Sequence, residues 1–284
     1  MDYLQILLLA IVQGLAELLP VSSSAHVILA EKLMGLDPTS AKMTFMLVML
    51  HTGTMFAVIV YFWKSWQRTW FHSLAQFVEQ AKPAFYATAA TGVLGLALMK
   101  LIPKVMGIQD HFEIEQIFGN SRLIAGSLAV AGLLIFFSGW KTSSKNQPEE
   151  ILADNATIAP ADALRIGLIQ GLCLPFRGFS RSGATISLSL LLHIPRRAAE
   201  EFSFALAVIL TPAVVIRELW RLLKSGHHPP LSQWLTPSLL GMVMSFLAGL
   251  VALRWLSHWL ERGKWHYFGI YCLLLSLTVA STLH

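Results

Sequence analysis

Apolar residues fall in runs along this chain, and the runs come in a repeating order of lengths. Two short runs, at about 3–19 and 24–36, are followed by three long ones near 42–63, 83–103 and 121–140. A polar stretch from Lys141 to Asp162 follows, with Ser143, Ser144, Asn146, Pro148, Glu149, Glu150 and Asp154, and it reads as an exposed linker. Two further short runs at about 162–174 and 182–194 lead into three long ones near 201–222, 235–256 and 266–283. The long runs approach the ~20 residues that cross a bilayer as a helix, and the short ones fall below it. The pattern predicts an all-α polytopic membrane protein. Its halves are residues 1–140 and 162–284, joined by a linker at 141–161, and each is a re-entrant helical hairpin plus three transmembrane helices.

The halves also echo one another residue by residue. Gln13-Gly14-Leu15 returns as Gln170-Gly171-Leu172, and at the same spacing Phe45 matches Phe202 and Trp63 matches Trp220. Pro20 is answered by Pro175, and Ser22-Ser23-Ser24 by Ser180-Arg181-Ser182. Three crossings per half is an odd number, so the expectation is an inverted-topology repeat with broken helices meeting at depth in the membrane. Irregular backbone is tolerated there only when it is buried in protein or lines a wet cavity.

Composition agrees with the pattern. Of 284 residues, 55% are hydrophobic and 13% charged, against about 25% charged in a soluble domain. The mean hydropathy is +0.60. The net charge of +5 is spread thinly, mostly flanking the apolar runs, which excludes a nucleic-acid binder. Cys173 and Cys272 lie in apolar segments without metal-ligand spacing and read as small buried hydrophobes. The N-terminus does not read as a signal peptide, since Asp2 stands in place of a basic start and Glu17 breaks the apolar region.

Chemistry concentrates at the two breaks. In the first, Gln13 and Glu17 share a helix face, Pro20 stops the helix, and Ser22, Ser23 and Ser24 offer N-caps for a second helix carrying His26. Glu17 suits a divalent cation or a general base. Gln13 suits the orientation of a water, a metal or that carboxylate. His26 suits an acid, a base or a nucleophile, and one of the serines suits attack on phosphorus. The second break reads Pro175-Phe-Arg177-Gly178-Phe-Ser180-Arg181-Ser182-Gly183-Ala-Thr185. An arginine flanked by apolar helices costs at least ~2.5–3.5 kcal/mol in the bilayer and needs a partner. Its planar fork matches phosphate or carboxylate. Arg177 and Arg181, Gly178 and Gly183, and the hydroxyls of Ser180, Ser182 and Thr185 together make a phosphate cradle at a helix N-terminus. Arg181 also reads as a structural counter-ion of Glu17.

The stretch from Gln13 to His26 and the stretch Gly178-Phe-Ser-Arg-Ser-Gly-Ala-Thr-Ile-Ser187 resemble the two signature motifs of the bacterial undecaprenyl pyrophosphate phosphatases, the bacitracin-resistance family. Glu201-Phe-Ser-Phe204 resembles the family's next motif, and the likeness spans essentially the whole chain. The resemblance implies hydrolysis of the lipid carrier pyrophosphate to the monophosphate and inorganic phosphate. That reaction recycles the carrier of peptidoglycan precursors in the bacterial inner membrane and depends on a divalent cation, Mg2+ or Ca2+. It implies Glu17 as the essential glutamate and metal ligand, with Ser23, His26 and Arg181 as further catalytic groups. Gln13, Ser22, Ser180, Ser182, Thr185 and Arg177 then serve the substrate phosphates. Whether Ser23, His26 or a water attacks stays open. The expected partners are a prenyl pyrophosphate lipid and membrane lipid, with a homodimer as an open option.

Two positions depart from the family pattern. Arg177-Gly178 stands where the second motif usually has Pro-Gly, and Gln13 replaces a glutamate, which removes one negative charge from the metal site. Flanking lysines and arginines divide eleven to eight in favour of the side away from the N-terminus. By the positive-inside rule this places the termini and the first hairpin's mouth at the periplasmic or outer face. A second reading comes from the architecture: inverted repeats with broken helices also build transporters, here of a phosphorylated lipid or small anion.

Overall fold

A computed structural model describes residues 2–37, 40–105, 121–142, 157–176, 178–224 and 231–282. Among the described residues all regular structure is helical. The order is α1 (Tyr3–Leu18), α2 (Ser23–Leu33), α3 (Ala41–Thr69), α4 (Leu74–Val105) and α5 (Ser121–Thr142), then α6 (Pro160–Cys173), α7 (Arg181–Leu191), α8 (Arg196–Lys224), α9 (Leu231–Glu261) and α10 (His266–Thr282). Short, short, long, long, long is therefore followed by the same order. Five of the long helices, α3, α4, α5, α8 and α9, have the length and hydropathy to cross a membrane. The chain is a multi-pass, all-α membrane protein. The segment expected as the sixth span is α10, whose 17 residues sit at the lower edge of the ~17–25 that suffice. Residues 143–156 of the expected linker lie outside the described residues. Its flanks are helical: Lys141 and Thr142 end α5, and Pro160 opens α6.

Close contacts group the chain into two compact units. One comprises Met1–Leu19, Ser23–Trp63 and Ala207–Leu256; the other comprises Pro20–Ser22, Lys64–Leu206 and Ser257–His284. Each draws helices from both halves of the sequence.

In the first unit, a capping box fixes the start of α1: Gln5 N–H donates to Asp2 Oδ1 at 2.7 Å, and Asp2 N–H to Gln5 Oε1 at 3.0 Å. The far end of α2 returns to this point, where Gln5 Nε2 donates to the Met34 carbonyl at 3.4 Å. Ile6, Leu9, Ala10, Val27, Met43, Met46 and Leu50 form a buried core beneath the hairpin. Helix α9 lies close alongside α1, since a Cβ on Gly14 would fall 2.6 Å from Ala248 Cβ and 2.7 Å from the Ser245 carbonyl. The Ser245 hydroxyl in turn donates to the Leu50 carbonyl at 3.0 Å, tying α9 to α3. Such small-residue contacts drive helix packing where lipid supplies no hydrophobic force.

The second unit repeats that device. Helix α6 presses on α4 through Gly167, Gly171 and Gly95, and a Cβ on Gly167 would collide with the backbone of Ala87. Thr91 of α4 donates to the Gly167 carbonyl at 2.9 Å. Ala84, Ala87, Ile158, Ala163, Ile166, Phe202 and Leu206 form its buried core. Helices α5 and α10 run antiparallel along a glycine seam, where a Cβ on Gly269 would lie 2.7 Å from the Gly132 carbonyl. Ser276 closes that seam with a 2.7 Å bond to the Ala125 carbonyl. Both thiols are free and buried. Cys173 donates to the Ile169 carbonyl at 3.2 Å and Cys272 to the Pro20 carbonyl at 3.3 Å.

Large apolar side chains stand exposed along the long helices, among them Phe56, Val60, Phe85, Val93, Phe137 and Ile216. On a water-soluble surface they would be a liability; on a spanning helix they face acyl chains. Trp63 and Trp220, equivalent in the sequence repeat, are both exposed near helix ends, the usual level of interfacial tryptophan.

Candidate functional site

The first break follows from Pro20. Leu19 before it is extended, with φ −74° and ψ 150°, as proline demands of the preceding residue. The chain then turns at Ser22, which holds a left-handed φ of 68°. For a residue with a Cβ this costs about 1–2 kcal/mol, strain of the kind found at functional turns. Ser22 is buried, and the contacts of residues 20–22 belong to the second unit. Ser23 opens α2, and Ser24 and His26 lie half-buried on its first turn.

Three of the expected residues meet at one atom. Ser23 Oγ donates to Glu17 Oε2 at 2.6 Å, and Gln13 Nε2 donates to the same oxygen at 3.2 Å. Gln13 is 1% exposed, so its amide is held in place one helical turn before the carboxylate it serves. His51, from within α3, brings its Nε2 to 3.6 Å from Glu17 Oε2. The side chains of His51 and Glu17 are 39% and 18% exposed, which leaves this side of the cluster open to a ligand.

Among the described residues, no group of three or more His, Cys, Asp or Glu is arranged to hold a metal ion. The donors gathered at Glu17 are a carboxylate, an amide and a hydroxyl. That set fits a hard divalent cation of the Mg2+ or Ca2+ kind, which commonly takes one or two protein carboxylates and completes its shell with water and substrate phosphates. It does not make a closed all-protein cage.

The second break lies in the other unit. Arg177 lies outside the described residues. Gly178 has φ +99°, and a Cβ there would fall 2.6 Å from the Ile124 carbonyl, so only glycine fits this turn against α5. Ser180 is the N-cap of α7, accepting from the Gly183 N–H at 3.2 Å, which leaves its own O–H to donate. Arg181 and Ser182 form the first turn of α7. Arg181 Nη1 reaches the Ser203 carbonyl at 3.5 Å. Thr185 is fully buried, bonded to the Arg181 carbonyl at 2.9 Å and to Ser203 Oγ at 2.6 Å. Its hydroxyl thus braces the arginine's own turn. The Ser180, Arg181 and Ser182 turn joins a helix N-terminus, a guanidinium and hydroxyls, which suits phosphoryl oxygens.

Sequence reasoning missed His51, Ser203 and Thr91. His51 carried a usable signal, since an ionisable side chain inside an apolar span is a functional candidate by default. Ser203 fell within the noted Glu201–Phe204 stretch without a role. Thr91 gave none; its role is visible only through Gln170, whose Nε2 donates to it at 3.1 Å.

The whole arrangement has known relatives. Residues 6–278 match the family model described as bacitracin resistance protein BacA. The chain is 58% identical to undecaprenyl-diphosphatase 2 of Acinetobacter baylyi over 283 residues, covering 97% of this chain and 96% of that one. It is 31% identical to the undecaprenyl-diphosphatase of Korarchaeum cryptofilum over the full length of both, and 31% identical to that of Desulfatibacillum aliphaticivorans over 98% of each.

Proposed function

Because the chain belongs to the bacitracin resistance protein BacA family, we propose that it is a membrane phosphatase that hydrolyses undecaprenyl pyrophosphate to undecaprenyl phosphate and inorganic phosphate. It thereby recycles the lipid carrier of cell-wall synthesis and confers bacitracin resistance. The observation that carries the chemistry is the 2.6 Å bond from Ser23 to Glu17. A serine hydroxyl whose proton already points at a carboxylate is a nucleophile with its general base in place.

The steps follow from that contact. Ser23 Oγ attacks the terminal phosphorus and Glu17 takes its proton. The bond from phosphorus to the bridging oxygen breaks, releasing the prenyl monophosphate. Water then cleaves the phosphoserine, giving inorganic phosphate and restoring the hydroxyl. Gln13 keeps Glu17 oriented. Arg181, with Ser180, Ser182 and the first N–H groups of α7, takes the phosphoryl oxygens as negative charge builds on them. His26, one helical turn beyond Ser23, is the acid for the leaving oxygen. A divalent cation held by Glu17 and the Gln13 amide would offset the charge of the pyrophosphate.

In this reading the protein lies in the bacterial inner membrane with its site toward the exterior, as the eleven-to-eight split of flanking cations supports. The halves are an inverted pair, since each contributes three long segments after its hairpin.

The test is phosphate release from detergent-purified protein given undecaprenyl pyrophosphate, with and without chelator. Release that falls at least about a thousandfold in Glu17→Ala supports the reading. No release from folded protein that still binds the lipid would overturn it in favour of a carrier.

A further inference from the structure

Beside Glu17 stands a nitrogen that none of these steps uses. His51 Nδ1 lies 2.8 Å from the Leu47 carbonyl one turn earlier on α3. A carbonyl only accepts, so Nδ1 carries the ring proton, and Nε2 is the ring's lone-pair end. That end faces Glu17 Oε2 at 3.6 Å. An imidazole lone pair and a carboxylate lone pair repel one another. Their approach is favourable when one positive centre sits between them, and bonds of about 2.1 Å to each partner span such a gap. The backbone bond to Leu47 is also what a metal-bound histidine ordinarily makes with its other nitrogen.

We propose that His51 and Glu17 form a mixed nitrogen–oxygen site for a borderline divalent cation such as Mn2+, Co2+ or Zn2+. This rests on the phosphatase reading for its purpose but not for its existence. Two further observations fit. Gln13 contributes an amide in place of a second carboxylate, so the site carries one negative charge and is a weaker trap for Mg2+ or Ca2+ than a two-carboxylate pair. Half a turn of that amide presents its oxygen to the ion, making a third donor. Imidazole ranks such sites toward first-row transition metals and away from Ca2+. His51 therefore sets which cation this chain prefers, and its partial exposure leaves positions for water and substrate oxygens.

Purified protein would be titrated with Co2+ and with Ca2+ by calorimetry, and the visible absorption of the Co2+ form recorded. His51→Ala is expected to weaken Co2+ by at least about tenfold and remove the nitrogen-ligated band, while Ca2+ binding stays within about twofold. His51→Gln, which keeps bulk and offers an oxygen, is expected to hold Ca2+ and lose the Co2+ preference, an outcome that misfolding would not give. Glu17→Ala is expected to lose both ions. Unchanged Co2+ affinity and spectrum in both His51 variants would overturn the proposal and leave a proton as the centre between the two side chains. If that occurs in protein that still releases phosphate, the cation site alone is wrong. If the Co2+ preference follows His51 in protein that releases none, the site stands and the phosphatase reading falls.

Discussion

Gln13 and Gln170 occupy equivalent places in the two halves and do different work. Gln13 orients a carboxylate, whereas Gln170 is buried and donates to Thr91, and the position matching Glu17 is Leu174. The second half has kept the amide as a structural bond and lost the charge it would have served. Thr91→Val should therefore cost about 1–3 kcal/mol by stranding a buried amide; thermal unfolding in detergent should show the drop while kcat/KM in folded protein holds. Arg181→Lys keeps the charge but loses the fork, and phosphate release should fall about 10- to 100-fold with the fold intact. Full activity in that variant would remove the bidentate role. At this scale the sequence showed which residues carry chemistry wherever they broke an apolar run, as Glu17, Pro20 and Arg181 do. It could not show that His51 meets Glu17, because the contact is made by packing α3 against the hairpin and no local spacing encodes that.

Helices continue where hydropathy stops. The span expected to end near 63 runs on to Thr69, because Lys64, Gln67 and Arg68 are good helix formers that need no membrane around them. The span expected to begin at 83 begins at Leu74, and Pro83 lies inside the helix. Proline at such a place reads from sequence as a first-turn residue, yet neighbouring groups in membrane helices satisfy what it leaves open, as Pro212 in α8 and Pro237 in α9 also illustrate. The breaks that matter were legible because their prolines coincide with serine and glycine runs. Helix contacts were not, since they depend on which glycine faces which backbone. Gly167→Ala should show this directly. Its Cβ would meet the Ala87 backbone, so α6 must shift from α4 at a cost of about 1–3 kcal/mol, measurable as a lowered melting temperature. The same change at Gly92, where a Cβ would meet nothing within 4 Å, should be silent or slightly stabilising.

Taken whole, the molecule uses one packing device twice. The first hairpin helix of each half lies against the fourth helix of the other half: α1 on α9, and α6 on α4. Gly14 and Gly171, equivalent in the repeat, make the closest approaches in both cases. The repeat was visible in the sequence as Gln-Gly-Leu; that each half completes the other was not, because it is a property of contacts between distant segments. Its two cysteines have a practical consequence. Both thiols are buried and already donate to backbone carbonyls, so the native protein is chemically silent toward water-soluble maleimides. No cysteine-free background is needed, and a reporter thiol placed at will is the only one that reacts. In intact spheroplasts, a cysteine at exposed Lys32 should label and one at exposed Ser73 should not until the membrane is opened. The reverse pattern would turn the protein over, and every statement about which compartment receives the released phosphate would turn with it.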